Sequence, residues 1–120
     1  MTYERCLYHV FSSPDYPAYA EGTEPVRCAF PYLTYSLAAG NYGEGVPVRV
    51  RFYDRSPSFS SCDTFFSRME ELVPSDGVLV PFERGAVWLK RGKVFLSRKD
   101  IPADRSVRCA EAEVTAAFLR

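Results

Sequence analysis

Paired cysteines, histidine, net charge and long apolar runs are scarce or missing in this 120-residue chain, and each absence excludes something. The four cysteines, Cys6, Cys28, Cys62 and Cys109, lie far apart with no C-x-x-C pair. Structural zinc sites present ligands in close pairs, because a short turn holds two of them at tetrahedral angles. Each cysteine therefore reads as a small buried apolar side chain, and no metal or cofactor is expected. Fifteen basic residues balance fifteen acidic ones, so there is no global field to draw nucleic acid or a membrane surface. No apolar run approaches the roughly 18 residues that span a bilayer. Nothing after Met1-Thr2-Tyr3-Glu4-Arg5 resembles the apolar stretch of a secretion signal, so an intracellular chain is expected. An aromatic share of 15%, beside only 7 Gly and 9 Pro, excludes a fibrous or disordered chain.

What is there reads as one α+β domain over residues 1–120. A short helix occupies the first dozen residues, capped by Thr2, with Cys6, Leu7, Val10 and Phe11 on one apolar face and Pro14 stopping it. Residues 13–26 hold three prolines and no period, and read as a loop; with the helix they form an N-terminal arm. Residues 27–38 are extended, with a strand that either begins after Pro31 or lies on an edge. Gly40 to Gly45 is a hairpin loop, lacking the spacing of a phosphate-binding loop. From Val46 to Tyr53 the period is strictly two, with Val46, Val48, Val50 and Phe52 on one face and Arg49, Arg51 and Tyr53 on the other.

Ser60 or Ser61 is placed to cap the main helix, with Asp63 completing a capping box. Cys62, Phe65, Phe66, Met69, Leu72 and Val73 form its apolar stripe, and Pro74 and Gly77 close it. Residues 78–97 read as short strands broken at Glu83-Arg84-Gly85 and Arg91-Gly92, where Arg-Gly pairs suit tight turns. The segment Ser106 to Leu119 has enough alanine for a helix. Val107/Cys109 and Val114/Ala116/Phe118 nevertheless keep a two-residue period, which predicts a long terminal strand. The fold class is α+β: a mostly antiparallel sheet, the main amphipathic helix packed across it and the short N-terminal helix.

Chemistry is sparse. His9 lies three residues after Cys6, but no Asn or Asp is placed to orient it, as nucleophilic catalysis requires. Glu111 and Glu113 share one face of the last strand, where they could hold a cation or simply meet solvent. No catalytic residue is assigned, and an enzyme is not expected. Between Arg84 and Arg108 lie eight basic residues, Arg84, Lys90, Arg91, Lys93, Arg98, Lys99, Arg105 and Arg108, against Asp100 and Asp104. The rest of the chain is correspondingly acidic. That layout suits head-to-tail association of like subunits, a basic band beside passing DNA, or solubilising charge on exposed hairpins. Five of the eight tyrosines, Tyr16, Tyr19, Tyr32, Tyr35 and Tyr42, fall within 27 residues, as at a partner surface or at the edge of a core. The candidate interface is therefore Tyr16, Tyr19, Tyr32, Tyr35, Arg49, Arg51, Arg84, Lys90, Arg91 and Lys93.

The order of elements resembles the small tail-terminator, or tail-completion, proteins of long-tailed bacteriophages. The matching pieces are the aromatic strand Pro31-Tyr32-Leu33-Thr34-Tyr35, the glycine-rich loop after it, and the alternating strand Val46 to Tyr53. The helix from Ser60 to Val73 follows, then a strand series with glycine turns and a closing strand ending in Ala117-Phe118-Leu119. The resemblance covers residues 27–120. It implies a virion structural protein, assembled in the host cytoplasm as a homo-oligomeric ring, commonly a hexamer. The ring caps the tail-tube protein and meets the head-tail connector proteins, with DNA only as passing cargo and no membrane. It implies no catalytic residues. The alternative from the residues is a small non-enzymatic binding module that holds a protein or ligand through its tyrosine-rich edge.

Overall fold

A computed structural model of the chain describes residues 8–11, 17–25, 29–37, 45–82, 85–99, 101, 104 and 106–119. Residues 8–11 are helical (α1), and Phe11 on it is fully buried. The strands are β1 (Ala18–Ala20), β2 (Tyr32–Leu37), β3 (Val46–Arg55), β4 (Val78–Phe82), β5 (Gly85–Lys99) and β6 (Val107–Leu119), with the helix α2 (Ser60–Leu72) between β3 and β4. The fold is α+β and mostly sheet. Its one six-stranded sheet has the order β1-β2-β3-β6-β5-β4, antiparallel throughout except for the β1–β2 pair.

The alternation of β3 survives in full. Val46, Val48, Val50 and Phe52 are buried, while Pro47 and Arg49 are exposed and Arg51 and Tyr53 half-buried. On β6 the buried alternate positions are Ala110, Ala112, Val114, Ala116 and Phe118. Those alanines sit at the centre of the sheet, between β3 and β5, where small side chains leave room for the helix above. Phe65 of α2 stacks on Phe52 of β3, ring centroids 5.1 Å apart. Cys62, Met69 and Val73 join the same core, with Leu33 and Tyr35 of β2 and Val87 and Leu89 of β5. Burying each of the larger side chains contributes about 1.5–3 kcal/mol, so the interior between α2 and the sheet is where most of the stability originates.

Four sequence expectations are corrected. Residues 13–26 are not all loop: Ala18–Ala20 pair in parallel with Leu33–Tyr35, and Ala18 is buried. The capping box does not form. Phe59 is the N-cap residue and makes no side-chain cap, the Ser58 hydroxyl accepts a long 3.4 Å bond from the Ser60 N–H, and the Asp63 carboxylate accepts from Arg98 Nη2 at 2.9 Å. Arg91-Gly92 is no turn, because β5 runs on through it with a register irregularity between Arg91 and Leu96. A Cβ at Gly92 would lie 2.7 Å from the Glu113 carbonyl oxygen, so glycine serves a close strand approach rather than a reversal. Tyr35 stands in the core, 7% exposed, rather than on the surface. The terminal strand forms as expected, β2 begins directly after Pro31, and α2 ends before Pro74. Thr2, Cys6, Pro14, Cys28, the loop 38–44, and Glu83 and Arg84 lie outside the described residues.

Candidate interaction surface

Odd- and even-numbered positions of β3 and β6 face opposite ways, so the residues not directed at α2 form a second, open face. Three zones cross it. The first is charged. Tyr19, Thr34, Arg51, Glu111 and Ser97 stand opposite one another across β1, β2, β3, β6 and β5. Arg51 Nε donates to Glu111 Oε1 at 3.0 Å, and Lys99 Nζ lies 3.6 Å from Glu111 Oε2. Glu111 is nearly buried, and its hydrogen bond raises the Arg51 guanidinium above its ordinary value against the opposing effect of burial. A cleft of about 20 Å³ beside this row is lined by Glu21, Thr34, Ser36, Arg49 and Arg51. That is room for a single water.

The second zone is aromatic. Tyr32 stacks on Tyr53 at 5.0 Å between centroids, Tyr19 meets Tyr32 edge-on at 6.2 Å, and Phe30 lies 5.6 Å from Tyr32. Arg55 stands over the Phe30 ring at 5.3 Å. Next along this row is Cys109, opposite Tyr53, with Lys99 beyond it. Burial pushes the Cys109 thiol up to about 11 and raises the Tyr53 hydroxyl. Burial also raises the Cys62 thiol. Thiols held protonated in this way are poor nucleophiles.

The third zone is apolar and lies at the corner away from β1. Leu79, Trp88 and Ala117 form one cross-strand row, and Pro81, Ala86 and Leu119 the next. Leu79 is 50% and Leu119 44% exposed. Sequence reasoning missed this zone. Its signal was present, since Val78 to Phe82 and Ala86 to Leu89 are apolar at every position, the mark of strands apolar on both faces.

The expected interface residues are scattered over this geometry. Tyr19 and Tyr32 come together on the open face, Arg49 and Arg51 in its charged centre, and Lys90 at the apolar corner, with its Nζ 5.6 Å from the Trp88 centroid. Arg91 turns to the other side, where its Nε donates to the Val73 carbonyl at 2.9 Å and its guanidinium covers Phe95. Lys93 is exposed on the irregular stretch of β5, and Tyr16 and Arg84 lie outside the described residues. Four of the basic band's eight residues, Arg91, Arg98, Lys99 and Arg108, are engaged within the fold. Lys90 and Lys93 are exposed, and Arg84 and Arg105 lie outside the described residues. Arg98 pairs with Asp63, Lys99 with Glu111, and Arg108 donates to the carbonyls of Ser56 and Pro57, with both arginines over the Phe59 ring. Glu111 and Glu113 share a face as expected, but Glu111 is committed to its two cations. His9 is exposed beside Tyr8.

Among the described residues no group of three or more His, Cys, Asp or Glu could hold a metal, and no helix is long and apolar enough to cross a membrane. No protein-family model matches the chain, and no curated protein is significantly similar to it.

Proposed function

We propose that the chain is a non-enzymatic assembly protein of the phage tail-terminator type, which self-associates as a ring on the tail tube and joins it to the head connector. The observation that carries this reading is the open sheet face. The helix α2 is laid across one side of the sheet. The other side offers a broad surface graded from aromatic through charged to apolar, with a cleft beside its charged row that admits one water. Such a face is suited to abutting another protein rather than enclosing a substrate. The order of elements from β2 to β6, two strands, a helix and three strands, also agrees with the resemblance. The cysteines of the described core, with raised thiols, offer no nucleophile.

A second reading, a monomeric binding module, draws on the aromatic zone. Tyr19 stands on the edge strand β1, and Phe30 and Tyr32 extend that edge into a contiguous aromatic surface. Absolute mass by light scattering behind size exclusion, from micromolar to millimolar protein, separates the two. A discrete ring-sized species, visible as an annulus by negative-stain electron microscopy, supports assembly. A monomer at every concentration, and in the presence of tail-tube protein, sinks it in favour of the binding module.

A further inference from the structure

We draw no further inference here: the strongest candidate, the charged cleft on the open face lined by Glu21, Thr34, Ser36, Arg49 and Arg51, has carboxylates beside both guanidinia, Glu111 on Arg51 and Glu113 opposite Arg49, and nothing in the structure shows what covers it.

Discussion

Phe65 of α2 and Phe52 of β3 lie face to face, with centroids 5.1 Å apart and planes 11° from parallel, and neither exposes more than 1% of its surface. This stack joins the helix to the sheet. Offset parallel rings contribute beyond their buried area, and truncating a fully buried phenyl leaves a cavity in the core. Phe65→Ala is expected to destabilise the protein by about 3–5 kcal/mol, measured as a lower urea midpoint at unchanged slope.

The start of α2 gives a prediction of the opposite kind. A working serine cap contributes about 1 kcal/mol, and the sequence places Ser60 where a capping box would put one. In the structure Ser60 already stands inside the helix, and its hydroxyl lies 3.0 Å from that of Ser58 at the surface. Ser60→Ala is therefore expected to change stability by less than about 0.5 kcal/mol. A loss near that of a working cap, measured in urea, would overturn the assignment of Phe59 as N-cap residue.

The contrast between these two sites shows what was legible. The β3 alternation and the α2 stripe were plain, because each element has one apolar and one polar side and its period is local. The last strand was legible as a strand but not in phase. Val107 and Cys109 stand on the open face and Val114, Ala116 and Phe118 on the other, so two runs of period two carried opposite meanings. The strand β1 was not legible, because three residues paired in parallel with β2 leave no periodic trace. Of the candidate surface, the charged centre could be read from Arg49, Arg51, Glu111 and Glu113. The apolar corner could not, since strands apolar at every position do not say which side faces outward. Linear charge counts ignore where guanidinia point. Arg91, Arg98 and Arg108 all turn back onto the chain's own carbonyls, carboxylate and rings.

Gly92 was misread for a related reason. An Arg-Gly pair supplies turn chemistry, but it also supplies a missing Cβ. Here the backbone and side chain of Glu113 occupy that space, with O at 2.7 Å and Cγ at 2.8 Å from an added methyl carbon. Gly92→Ala is expected to cost about 1–3 kcal/mol through a forced shift of β5 against β6. Adding Glu113→Ala should recover only part of that loss, since the carbonyl clash stays. Full recovery in a double-mutant cycle would show that the side chain alone sets the requirement.

Cys109 links the open face to alkaline pH. Burial lifts its thiol to about 11 in the fold, against an ordinary value of 9.0, and the Arg51 guanidinium offsets only part of that. The folded protein therefore keeps a proton that the unfolded chain releases first. The resulting stabilisation is complete below about pH 9 and is lost as the pH rises through about 11. Tyr53, directly opposite in the ladder, is also raised by burial and pulls the same way above its ordinary 10.0. Urea midpoints taken from pH 7.5 to 11 should fall across that interval. Cys109→Ala should remove its share of the fall between pH 9 and 11 and leave the contribution of Tyr53 above pH 10. Parallel curves for the two proteins would show that the thiol is not held protonated by the fold. A second measurement reads the same group without unfolding it. At pH 8, iodoacetamide should modify Cys109 in the native protein far more slowly than in urea, because neither thiolate nor access is available.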